Sequence, residues 1–248
     1  MIILVFDTET TGLPLTKTVS KEMLSLWPHI VQLSYIMYNM NTHEIIKQFD
    51  SILQVPDDII MTDEVVQIHH ITNEMTHSST VTFASVVRSF YEDLKLAEII
   101  VAHNFNFDCN MLKVELMRTV DMEDEEGNTK KRRSNRLMGL PAGTMTLTAI
   151  CEAVKTRLTK MPSFCTMTNS VQLCNIVSKN VKTGKDFVKF PKLNELHFKL
   201  FGTIPANLHN SWNDTLVCLR CYGELALDRD ILEHNIVLKK LFKKLLAL

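Results

Sequence analysis

Ile2-Ile3-Leu4-Val5-Phe6 is an unbroken apolar run with no amphipathic alternation, the pattern of a strand buried on both faces. Two more strands are expected over residues 29–38, through Val31, Leu33, Tyr35 and Ile36, and over 44–53, joined near residues 39–42. Residues 62–70 predict a short helix with Thr62 as its cap and Glu64 close behind. Phe83, Val86, Val87, Phe90 and Leu94 share one face of a longer helix over 83–94. A strand over 98–102 and a helix over 105–119 follow. This order of elements favours an α/β sheet with helices on its faces.

Residues 121–143 break the pattern. They run acidic through Asp121, Glu123, Asp124, Glu125 and Glu126, then basic through Lys130, Lys131, Arg132, Arg133 and Arg136. Such a segment is either a solvated loop, a basic finger on nucleic acid, or a targeting signal. Beyond it, 145–148 reads as a short strand leading into a helix from 149 to about 158. Residues 162–191 hold an insertion with a turn at Lys182-Thr183-Gly184-Lys185, and 192–201 and 214–226 read as helices. The 231–248 stretch sets Leu238, Leu241, Phe242, Leu245 and Leu248 against Lys239, Lys240, Lys243 and Lys244. Such an amphipathic helix either packs on its own domain or docks a partner. The expected organisation is one domain over 1–230 followed by this helix, with no internal repeat.

At 248 residues nothing in the composition forces a division into two domains. Apolar content of 46% and charged content of 22% are ordinary for a globular protein. Lys and Arg total 27 against 28 for Asp and Glu, so no whole-molecule basic field exists to attract a polyanion. A local patch or a bound cation would have to hold nucleic acid. The six cysteines form no compact framework, the N-terminus lacks a basic flank before its short apolar run, and no apolar stretch approaches a membrane span. An intracellular protein, cytoplasmic or nuclear, with free thiols is expected. Cys218-x-x-Cys221 is either core packing or half of a zinc site that has no second pair.

The chemistry starts at the end of the first strand. Asp7 and Glu9 are two apart, so they point the same way, and two carboxylates beside a buried sheet need a compensating cation. Asp108 falls in the first turn of the helix after the strand 98–102, on the face of Met111 and Leu112. Asp214 heads the helical stripe Val217, Cys218, Cys221, Tyr222 and Leu225. Taken singly, each of these two aspartates also reads as a cap of its own helix. His209, five residues before Asp214, is offset by about 140° on any shared helix, so it belongs on the loop after Ile204-Pro205.

Together these residues resemble the DnaQ-like exonuclease superfamily. Asp7-Thr8-Glu9-Thr10-Thr11-Gly12-Leu13, Val101 to Asp108, and His209-Asn210-Ser211-Trp212-Asn213-Asp214 match its three motifs in order, and the H-x4-D spacing is that of the DEDDh branch. Pro191 to Leu196, followed by Leu200-Phe201-Gly202, is similar to the family's run before the third motif. His70 stands where relatives commonly carry glycine, and Asn106 where a small residue is frequent. Those departures bear on substrate preference rather than on metal chemistry.

The resemblance implies an RNase H-like mixed five-stranded sheet flanked by helices. It implies two Mg²⁺ or Mn²⁺ held by Asp7, Glu9, Asp108 and Asp214, with His209 as general base. Thr8, Glu9, Thr10, Thr11, Leu13 and Asn104 would hold the 3′-terminal nucleotide. The implied activity is 3′→5′ release of nucleoside 5′-monophosphates from DNA, at single strands or frayed and mismatched ends. Imidazole chemistry suits such a base because it titrates near working pH. An RNA-trimming exonuclease, a proofreading subunit docked on a polymerase through 231–248, and a catalytically quiet module on the same fold are the alternatives. Intact motif positions argue against the last.

Overall fold

The N-terminal apolar run forms β1 (Ile2–Thr10), which continues through the acidic pair. β2 (Ile30–Asn39) and β3 (Glu44–Ile52) follow as antiparallel neighbours. Next come α1 (Asp63–His69), α2 (Asn73–His77), α3 (Phe83–Leu96), β4 (Ile99–Ala102) and α4 (Phe105–Lys130). After them lie α5 (Leu147–Lys160), β5 (Ser163–Cys165), α6 (Thr166–Asn169) and α7 (Val171–Cys174). The hairpin β6 (Val177–Lys179) and β7 (Asp186–Val188) leads to α8 (Leu193–Phe201), α9 (Ser211–Leu227) and α10 (Ile236–Leu245). This computed structural model describes residues 1–130 and 145–246, without the side chains of 123–130.

The main sheet has the order β3-β2-β1-β4-β5, with β4 and β5 parallel to β1, so it is the expected mixed five-stranded sheet flanked by helices. Alternation along β1 splits the core in two. Leu4 and Phe6 face α3, α4 and α5 through Phe90, Leu94, Leu112 and Val154. Ile3 and Val5 face α8, α9 and α10 through Leu196, Val217, Tyr222 and Phe242. Each of these fully buried chains contributes about 1.5–3 kcal/mol, so both faces hold the strand in register. The C-terminal segment lies on the second face, with Leu238, Phe242 and Leu245 buried. Gly223 of α9 makes that approach close, since a Cβ there would lie 2.8 Å from the Arg229 carbonyl oxygen and from Ile231 Cγ2.

Several expected boundaries differ. Residues 145–148 are no strand: Thr146 caps α5 by accepting from the Ala149 N–H, and the fifth strand is β5 instead. α4 continues to Lys130 through the acidic residues expected as a loop, where Glu123, Glu125 and Glu126 are good helix formers even without an apolar stripe. The remainder of that charged segment, including Lys131, Arg132, Arg133 and Arg136, lies outside the described residues, as does Leu248. α9 begins at Ser211 rather than at 214, capped by Asn210, whose side chain accepts from the Asn213 N–H. α2 has no counterpart in the sequence expectations. No helix among the described residues is long and apolar enough to cross a membrane.

Candidate active site

Asp7 and Glu9 occupy the odd positions of β1, the parity of Ile3 and Val5, so their carboxylates point to the α9 side of the sheet. Asp214, in the first turn of α9, meets them there. One ligand atom from each of Asp7, Glu9 and Asp214 lies within 4.8 Å of the other two. Asp214 does not cap its helix, because Asn210 does; its Oδ2 instead accepts the His209 backbone N–H at 3.0 Å.

Asp108 arrives from the opposite core. Its Oδ1 accepts from Thr8 Oγ1 at 2.7 Å and from the Thr8 N–H at 3.2 Å. Thr8 is on the even, α4-facing side of β1, and pairing between β1 and β4 is confined to Ile3–Val5, which leaves the Thr8 N–H to the carboxylate. Asp108 therefore stands beside the trio rather than within it, approaching from the α4 side and turned to Thr8.

The electrostatics tie all four together. Burial, then the charges of Asp108, Asp214 and Glu9, push the Asp7 carboxyl well above the usual carboxylate range. Burial followed by Asp214 and Asp108 raises Glu9 to about 8. Burial lifts Asp108 to about 7 against the opposing Thr8 hydrogen bonds, and lifts Asp214 to about 7 against the His209 N–H. Without a cation these groups hold protons near neutrality. Oxygen-only donors suit a hard divalent cation such as Mg²⁺ or Mn²⁺, whose binding would displace those protons.

His209 is exposed on the loop before α9 with φ of 66°. Asn104 is likewise exposed, with φ of 69°, in the turn between β4 and α4. A non-glycine residue in the left-handed region carries strain that the surrounding structure must hold. The remaining candidates line the β1 exit. Thr10 Oγ1 donates to the Gly12 carbonyl at 2.7 Å, Thr11 Oγ1 accepts the His29 N–H at 2.9 Å, and Leu13 is 81% exposed. Arg118 of α4 fastens the chain beyond, donating to the carbonyls of Leu24, Trp27 and Pro28. The departure at His70 falls at the C-terminus of α1 with φ of 62°, which explains why glycine suits that position.

The sequence reading missed a supporting network on β2. Glu9 pairs across the strands with Gln32, and Asp7 with Ser34. Gln32 Nε2 and Ser34 Oγ both donate to Asp50 Oδ1 at 2.7 Å. Ser34 Oγ accepts from Ser211 Oγ at 2.5 Å, and Gln32 Oε1 accepts the Ser211 N–H at 3.2 Å. The start of α9, which bears Asp214, is thus fixed to the sheet directly opposite the β1 carboxylates. Two polar residues inside an otherwise apolar buried strand were the available signal. Cys218 and Cys221 are buried thiols pushed well up by that burial, and no cysteine belongs to the ligand trio.

Solved structures share the fold at low identity. Exonuclease I from Methylocaldum szegediense has a TM-score of 0.54 and 12% identity over 93% of this chain and 42% of that one. Product-bound exonuclease I has a TM-score of 0.55 and 13% identity over 98% of this chain and 46% of that one. E. coli exonuclease I with a dA16 oligonucleotide has a TM-score of 0.55 and 12% identity over 98% and 43%. The chain spans less than half the length of these structures. No curated protein matches it significantly in sequence. The model of the exonuclease family RNase_T matches residues 4–222, a span holding every carboxylate of the site, and the chain therefore belongs to that family, within the DnaQ-like exonuclease superfamily.

Proposed function

We propose that the protein is a 3′→5′ exonuclease acting on single-stranded or frayed DNA ends, with two Mg²⁺ or Mn²⁺ held by Asp7, Glu9, Asp214 and Asp108. The observation that carries this reading is the convergence of Asp7, Glu9 and Asp214 to within 4.8 Å in a setting that opposes their ionisation. Such ions, once bound, would polarise the scissile phosphate, acidify the attacking water and stabilise the leaving oxygen.

The chain's own residues do the rest. Asp7 and Glu9 are fixed by β1, and Asp214 by the Gln32–Ser34–Asp50 anchor, so the donors need little reorganisation on binding. His209 accepts the proton of the attacking water from its loop, and the bond from its main chain to Asp214 keeps that loop beside the carboxylates. Leu13 offers an apolar surface for the terminal base, and Asn104 a polar side chain at the rim. The oligonucleotide complexes of E. coli exonuclease I support single-stranded DNA as the substrate class. The α10 apolar face is taken up by the domain itself, so its role in this reading is structural.

The test uses 5′-labelled DNA and RNA oligonucleotides with Mn²⁺ or with chelator. The expected result is a ladder shortening from the 3′ end, with nucleoside 5′-monophosphates released, on DNA before RNA and only with metal. Intact oligonucleotide, or shortening from the 5′ end, overturns the reading.

A further inference from the structure

The insertion between β5 and α8 carries a feature that the catalytic site does not use. No residue from Val177 to Val188 is buried, yet the segment is ordered as a hairpin with Val177 opposite Val188 and Lys179 opposite Asp186. Its tip is tied by the Asn180 side chain, which accepts the N–H groups of Lys182 and Thr183, and by the Gly184 N–H on the Asn180 carbonyl. Gly184, with φ of 67°, permits the turn.

The hairpin's composition contrasts with the balanced chain. Lys179, Lys182 and Lys185 stand exposed along it, with Asp186 as its one acidic residue. Phe187 and Phe190 are 48% and 59% exposed, and Val181 is fully exposed. Lys189 differs, since Glu195 holds it at 2.6 and 2.7 Å. Exposed aromatics interleaved with lysines form the pattern by which proteins hold single-stranded nucleic acid, bases stacking on rings and phosphates on cations.

Position links the hairpin to the site. Where it returns to the body, the Pro191 carbonyl accepts from His103 Nε2 at 3.1 Å. His103 Nδ1 in turn accepts from Thr166 Oγ1 at 2.9 Å, so one half-buried imidazole joins the hairpin's base to the turn that carries Asn104. The hairpin is therefore rooted at the rim of the carboxylate site.

Resting on the exonuclease reading, we propose that the β6–β7 hairpin is a holding arm for the single strand running back from the active site. Lys179, Lys182 and Lys185 contact its phosphates, and Phe187 and Phe190 stack its bases. It supplies a local positive surface near the site in a chain whose net charge is −1.

Binding of fluorescent dT and rU strands of four and twenty nucleotides, measured in chelator so that nothing is cut, tests this. The triple variant Lys179→Ala/Lys182→Ala/Lys185→Ala should bind the 20-mers at least roughly tenfold more weakly, and its slope of log affinity against log salt should be shallower by about 2. Phe187→Ala/Phe190→Ala should weaken 20-mer binding roughly tenfold per stack lost, with the salt slope unchanged. The Lys→Arg triple should restore wild-type binding, and cleavage of a dinucleotide with Mn²⁺ should proceed at the wild-type rate in all variants. All substituted side chains are exposed, so an unchanged melting temperature checks the fold. Wild-type affinity and slope in the alanine triple would overturn the proposal while leaving the nuclease standing. If instead the wild type binds 20-mers through the hairpin but cuts nothing, the exonuclease reading fails and the arm remains.

Discussion

Asp108→Asn separates what the carboxylate does for the empty fold from what it does for metal. Asparagine keeps the oxygen that accepts from Thr8, so the local geometry survives. Asp108 is 2% exposed, and burial raises its carboxyl from an ordinary value of 3.8 to about 7. A group whose folded pKa is raised stabilises the fold fully below its unfolded pKa, and that stability is lost as pH climbs through the folded value. In chelator, wild type should thus lose stability between pH 4 and about 7 that the variant keeps. About three decades of proton affinity at 1.36 kcal/mol each amount to roughly 4 kcal/mol at pH 8. For a chain of this size that is roughly 8–16 °C in melting temperature. Scanning calorimetry at pH 4, 6 and 8 should show near-equal melting at the first and a widening lead for Asp108→Asn after it. Adding Mn²⁺ at pH 8 should reverse the order, because the wild type gains a ligand-stabilised state and the variant gains less. A variant less stable than wild type at pH 8 without metal, or an offset independent of pH, would refute the reasoning.

Four further outcomes are expected. His209→Ala should lose turnover by a factor of about 10² or more while keeping the Mn²⁺-induced rise in melting temperature, and near-normal rates would remove it as the base. Ser34→Ala strands the Ser211 hydroxyl and one Asp50 interaction, so it should cost about 3 kcal/mol, read as a fall of roughly 6–12 °C in melting. Gly223→Ala drives a methyl group into the Arg229 carbonyl and Ile231, and should destabilise by about 1–3 kcal/mol with faster amide exchange in α10. His70→Gly relieves roughly 1–2 kcal/mol of left-handed strain against about 0.5–1 kcal/mol of added unfolded-chain entropy, and should raise the melting temperature by roughly 1–4 °C; a fall would show that the imidazole contributes more than the strain.

β1 was legible because its apolar run is bounded by polar residues of defined parity, which also orients Asp7 and Glu9. Helix stripes around Phe90 and Val217 were legible for the same reason. β5 was not: three residues after Pro162 carry no periodicity, and only pairing of Ile100–Ala102 with Ser163–Cys165 defines them. The β-prone look of 145–148 pointed to a strand where Thr146 was serving as a cap. α4 was cut short because its outer turns are polar on every side. The placement of Asp108 depends on where β4 stops pairing with β1, a fact of tertiary geometry with no local signature. Gln32 and Ser34 were visible as polar interruptions of β2, but their partners Asp50 and Ser211 are 16–18 and 177–179 residues away.

β1 presents Asp7 and Glu9 to one hydrophobic layer and Thr8, with Asp108, to the other, so the four carboxylates of the proposed cation site draw on both layers. Under the proposed function, a nascent or partly melted chain in which either layer is loose would lack part of that set and would leave nucleic acid uncut until folding has finished. Hydrolysis by such a molecule would then be a readout of global integrity.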